Sequence, residues 1–72
     1  MSAMNQTKAA SSHTKAADAH EAAAKIARMS AESHQKGDHK AGFEHAEKAL
    51  SSSQNAYDAT KGAHAESKTS LR

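Results

Sequence analysis

The chain has no cysteine, no proline and no tryptophan, and it carries only one phenylalanine, one tyrosine and three glycines in 72 residues. Without cysteine there is no disulfide framework and no thiolate metal site, so the usual staples of a small domain are missing. No apolar run approaches the ~18 residues of a membrane span. No apolar segment follows a basic start in the manner of a secretory signal, and the expected location is cytoplasmic. The 36% apolar fraction is mostly alanine; only Met1, Met4, Ile26, Met29, Phe43, Leu50, Tyr57 and Leu71 are larger. So few large side chains cannot enclose a deep pocket, which excludes a self-sufficient enzyme fold. The serines lack an orienting acid and the glycines are isolated rather than clustered, so neither a nucleophile triad nor a phosphate loop is expected.

Ten Lys/Arg against eight Asp/Glu give a formal charge of +2, and six histidines add to it on mild acidification. The basic residues are interleaved with acids along the chain, so no basic block marks a polyanion footprint.

Residues 5–36 hold neither glycine nor proline and are rich in helix formers. Gly37-Asp38 follows, glycine suiting the left-handed position that closes a helix and aspartate the N-cap of the next. The sequence therefore predicts a single domain over 1–72: helix 1 at about 6–36, a turn at 37–38, helix 2 at about 39–67, and frayed ends. With so short a connection the helices must fold back antiparallel. Gly42, Gly62 and Ser51-Ser52-Ser53 weaken the second helix.

Both arms carry a sevenfold beat. In the first, positions 9, 13, 16, 20, 23, 27, 30 and 34 form one stripe of Ala, Ser and His; in the second, 42, 46, 49, 53, 56, 60, 63 and 67 are Gly, Ala, Ser or Thr. Folding about Gly37 sets Ala16 against Ala56 and Ser30 against Gly42, and it expects His20 to meet Ser53 and His13 to meet Thr60. The expected architecture is an all-α antiparallel two-helix hairpin with an alanine-lined seam, its backbones at the low end of the usual ~8–10 Å spacing. Protonating His13 and His20 within such a seam is expected to loosen it below about pH 6.

An alanine seam removes little apolar area from water, so at ~25 cal/mol per Å² two arms alone are marginal. The larger side chains keep their own beat, Phe43, Leu50, Tyr57 and His64, and a helical wheel sets Ala17 and Ala24, with Ala10 and Ala31, on the same side of the hairpin. A strip of this kind marks an interface, and pairing into a dimeric four-helix bundle is the economical solution. Ile26 and Met29, with Ala19 and Ala22, are expected as a smaller patch on the opposite side.

The run from Gly37 to Leu50 resembles the turn and second helix of one tetratricopeptide repeat, with Ile26, Met29 and Ser30 at that family's first-helix positions and Gly42, Ala46 and Ala49 at its packing positions. The likeness covers about residues 23–54 and departs at Gln54, where the family usually has proline. One repeat cannot build a solenoid groove, so peptide binding does not carry over. The chain also resembles small Ala/His-rich bacterial proteins whose hairpins turn at a Gly-Asp or Gly-Asn pair, which implies a fold and a bacterial source but no activity. The architecture is similar to plasmid Repressor-of-primer dimers, which would imply modulation of RNA, although that family's RNA-face pattern is missing.

A helix-borne metal site needs ligands at i and i+3 or i+4. Most of the six histidines have Ala, Gly, Ser, Thr or Lys at those distances. The exception is at the turn, where His34, Asp38 and His39 could supply up to three ligands for weak Zn, Ni or Cu binding. The sequence thus points to a self-associating structural or interaction module without catalysis, with histidine-mediated metal binding as the alternative and RNA modulation behind it.

Overall fold

The computed structural model describes residues 3–71, so Met1, Ser2 and Arg72, which the sequence places in its frayed ends, lie outside the described residues. Two helices, α1 (Ala3–Gln35) and α2 (His39–Ser70), pack antiparallel into a rod whose Cα trace measures 54 × 14 × 11 Å. No strand occurs among the described residues.

The turn is built by the two residues that announce it. Gly37 has φ +84°, its N–H donates to the His34 carbonyl (3.0 Å), and the Asp38 N–H donates to the Ser33 carbonyl (2.9 Å). This crossed pair is the Schellman closure, which consumes two of α1's orphan carbonyls and requires a residue tolerant of positive φ. Asp38 then caps α2, its Oδ1 accepting from the Ala41 N–H at 3.1 Å, while its carbonyl accepts from the Gly42 N–H at 3.0 Å. A cap of this kind contributes about 1 kcal/mol.

α2 runs to Ser70, three residues beyond the end expected from sequence, and the Leu71 N–H closes it onto the Lys68 and Thr69 carbonyls. Ser51, Ser52 and Ser53 remain helical, as do Gly42 and Gly62. Long-range packing explains this: α1 flanks α2 along its length, and tertiary contact overrides modest propensity costs. Gly62 is the position where that cost is uncompensated, because a Cβ there would meet nothing within 4 Å. Gly62→Ala should therefore raise stability by about 1 kcal/mol, read as an upward shift in thermal unfolding followed by circular dichroism.

Among the described residues the buried hydrophobic ones are alanines, Ala16, Ala23, Ala56 and Ala63, the last two with no exposed surface, and Gly42 is buried with them. Half-buried residues fill the alternate layers: 9, 12, 19, 26, 30 and 33 on α1, and 45, 49, 52, 59 and 66 among those on α2. One half of the sevenfold stripe, positions 9, 16, 23 and 30 with 42, 49, 56 and 63, is buried or half-buried. The other half is displaced by one residue, so that Ser12, Ala19, Ile26 and Ser33 turn inward while His13, His20, Ala27 and His34 stay exposed. Either neighbour satisfies a seven-residue repeat, and apolar burial decides between them. Ile26, Ala19 and Ala59 gain shelter that Ala27, His20 and Thr60 would have taken. Ile26 thus belongs to the interhelical layer rather than to an outer patch, Ala19 joins it, and Met29 and Ala22 remain exposed.

That choice has a cost at His45, which turns inward in place of Ala46 and whose Nδ1 is buried without a hydrogen-bond partner. An unsatisfied buried polar atom costs on the order of 1–3 kcal/mol. His45→Leu should therefore stabilise the hairpin by at least about 1 kcal/mol, which for a chain of this size raises Tm by roughly 4–8 °C. Unchanged or lowered Tm would contradict the inward placement of this ring.

Candidate functional site

The exposed histidines bind the two helices together along one flank. His20 Nε2 shares a 2.8 Å hydrogen bond with Thr60 Oγ1, and His13 Nε2 a 2.6 Å hydrogen bond with Ser67 Oγ. Both partners lie one heptad beyond those expected, Thr60 instead of Ser53 and Ser67 instead of Thr60. Side chains on a helix lean toward its N-terminus. In an antiparallel pair the imidazole and the hydroxyl therefore lean toward each other, and residues offset along the axis converge. Thr60 Oγ1 donates its proton to the Ala56 carbonyl (2.9 Å), so it accepts from His20, which fixes an Nε2–H tautomer. Such a bond survives protonation of the ring, since the ring already donates. The expected loosening of the interhelical layer on protonation thus loses its basis: these rings flank the layer and do not fill it.

At the turn, His34 Nδ1 and His39 Nδ1 lie 2.7 Å apart, with ring centroids separated by 5.0 Å. The His34 ring lies over Gly42, where a Cβ would come within 2.5 Å of its Nε2, and Ser30 Oγ donates to the Gly42 carbonyl at 2.7 Å. The glycine weakens the helix but admits this ring and this close approach. Of the three expected metal ligands, the structure brings His34 and His39 together, while the Asp38 carboxylate is used in capping α2. Among the described residues no group of three His, Asp or Glu side chains is arranged to hold a metal ion.

The same flank carries the large side chains. Phe43, Leu50 and Tyr57 are 61%, 65% and 63% exposed, and His64 continues their row. Positions 10, 13, 17, 20, 24, 27, 31 and 34 of α1 and 43, 46, 50, 53, 57, 60, 64 and 67 of α2 make up this whole side of the hairpin, eight on each helix. None is Lys, Arg, Asp or Glu, in a chain where those types are 25% of residues. On α1 it consists of alanine and histidine only; on α2 it alternates the bulky row with Ala46, Ser53, Thr60 and Ser67. The charged side chains lie off this side, among them Lys8, which pairs with half-buried Glu66 (3.6 Å), and Lys61, whose Nζ lies 5.5 Å from the Tyr57 ring centre. Every interface residue expected from sequence, Phe43, Leu50, Tyr57, His64, Ala17 and Ala24, lies on this uncharged side. The spacing alone does not connect them with the histidine–hydroxyl row between them, because a sevenfold stripe places that row in the interior.

Two surface depressions reach the uncharged side, one lined by Ser53, Gln54, Tyr57 and Asp58 and one by His64, Ser67, Lys68 and Leu71. No helix among the described residues is long and apolar enough to cross a membrane. Comparison of the chain with protein-family models, curated proteins and solved structures gives no match.

Proposed function

We propose that the protein is a self-associating structural or protein-interaction module of the cytoplasm, without catalytic activity, and that a second copy covers its uncharged side to form a four-helix bundle. The observation that carries this reading is the coincidence of the missing charge with the exposed Phe43, Leu50 and Tyr57 on one side of a rod. A side free of charged residues over the length of both helices, rimmed by them, is the composition of an interface core with its polar rim.

Area supports a copy of the same chain as the occupant. A compact monomer of 7.6 kDa is expected to expose about 4300 Å², whereas this chain exposes 5355 Å², an excess of roughly 1000 Å². A face of 54 × 14 Å spans roughly 750 Å², close to the ~800 Å² per partner of a stable complex. The surface is also complementary to itself. A two-fold axis along the hairpin lays the bulky row of α2 onto the alanine row of the other copy's α1, with Leu50 over Ala24, Tyr57 over Ala17, and both turns at one end. The test is the mass in solution by sedimentation equilibrium at micromolar concentration. Twice the 7.6 kDa chain mass is expected, and a monomer throughout would overturn the reading.

The 2.7 Å approach of His34 and His39 favours a second reading, weak Zn, Ni or Cu binding at the turn. Calorimetric titration tests it, and binding heats no larger than those of free imidazole would remove it.

A further inference from the structure

We infer that assembly through the uncharged side is controlled by protons, with His13, His20 and His64 as the groups that break it; this rests on the self-association proposed above. Tyr57 and the turn residue His34 apart, these three are the only side chains of that face that can ionise. Imidazole changes charge between about pH 5 and 8, where lysine, arginine and the acids of the rim mostly do not. A second copy related by an axis along the hairpin sets each histidine–hydroxyl pair against its own image, so His20 and Thr60 of both copies share one layer of the bundle, as do His13 and Ser67. Neutral rings suit that layer, since each is already hydrogen-bonded to a hydroxyl within its own copy. Protonated rings place like charges across the two-fold axis with water excluded, and nothing within the face compensates them.

The ionisable neighbours lie outside the face. Glu66, half-buried between the helices near His13 and Ser67, is engaged by Lys8. His20 meets only the Thr60 hydroxyl from α2. His34 meets His39, with Asp38 committed to its cap. His64 is flanked on its own helix by Lys61 and Lys68.

The sign follows from proton uptake. The free hairpins bind protons that the dimer excludes, so dissociation is favoured as pH falls, by a factor of ten in Kd per pH unit for each excluded proton. Sedimentation of the full chain, with a chelator present, should be compared at about pH 8 and about pH 5.5. The expected result is a dimer at the higher pH whose Kd rises about tenfold or more at the lower. The variant carrying Gln in place of His13, His20 and His64 should remain dimeric at both. A wild-type Kd equal at both pH values overturns the inference and leaves self-association standing, as does a Gln variant that keeps the full pH response. A monomer at every pH overturns both.

Discussion

Leu50→Glu is expected to turn the dimer into a monomer at micromolar concentration, with Kd raised at least about 100-fold. Leu50 lies midway along the uncharged side and is 65% exposed in the single hairpin, so the substitution removes nothing from the interhelical layer. Glutamate is also a good helix former, so α2 loses little intrinsic propensity. In the dimer, however, each copy would bring one carboxylate into a face that offers it no cation. An uncompensated charge in a desolvated interface costs on the order of 3–5 kcal/mol, which converts to the factor stated. Sedimentation of the variant beside the wild type reads the result, and circular dichroism separates loss of association from loss of the hairpin. A variant that remained dimeric would place the contact elsewhere. The exposed Met29 on the opposite side would then be the next surface to consider.

Ala56→Phe is expected to have the largest effect on the hairpin itself. Ala56 has no exposed surface, and its carbonyl receives the Thr60 hydroxyl that orders the His20 bond. A phenyl ring there cannot be accommodated while the backbones stay close, and overpacking of this kind costs typically ~1–3 kcal/mol, often more where backbones must separate. With so few large side chains in the interior, that is a major fraction of the total stability. Thermal unfolding should shift downward by about 10 °C or more. Gly62→Ala, on the open surface of the same helix, shifts in the opposite direction, which makes the pair a test of close packing rather than of general tolerance. An Ala56→Phe chain as stable as the parent would show that the helices are not held at the distance of their smallest residues.

The contrast between what could and could not be read from the chain has a physical origin. The turn was legible because glycine followed by aspartate answers two backbone demands at once, positive φ and an N-cap, and both are local. Positions 16, 23, 56 and 63 were legible because small residues recur there at a seven-residue interval on both arms. The alternate layer was not, since at each step two adjacent residues fit the repeat and the choice depends on which side the partner helix lies. Ile26 and His45 were settled together: sheltering isoleucine outweighed leaving an imidazole nitrogen without a partner. The partners of His13 and His20 depend on side-chain lean in an antiparallel pair, which no spacing rule for one helix contains. The uncharged side became visible only after the inward layer was fixed. Its bulky row was readable as Phe43, Leu50 and Tyr57, but the histidines beside that row had been counted as interior. The approach of His34 and His39 is legible in their flanking of the turn, whereas their Nδ1-to-Nδ1 contact depends on the turn's three-dimensional course.

The proposal that small residues zip the two helices while the uncharged side clasps a second copy is tested most directly by isotope-filtered nuclear Overhauser spectroscopy on a mixture of labelled and unlabelled chains. The account predicts intermolecular contacts from the Leu50 methyls to the Ala24 methyl and from the Tyr57 ring to Ala17, alongside intramolecular contacts between Ala16 and Ala56. A spectrum holding the intramolecular contacts alone, at concentrations where sedimentation reports a single chain, would contradict it.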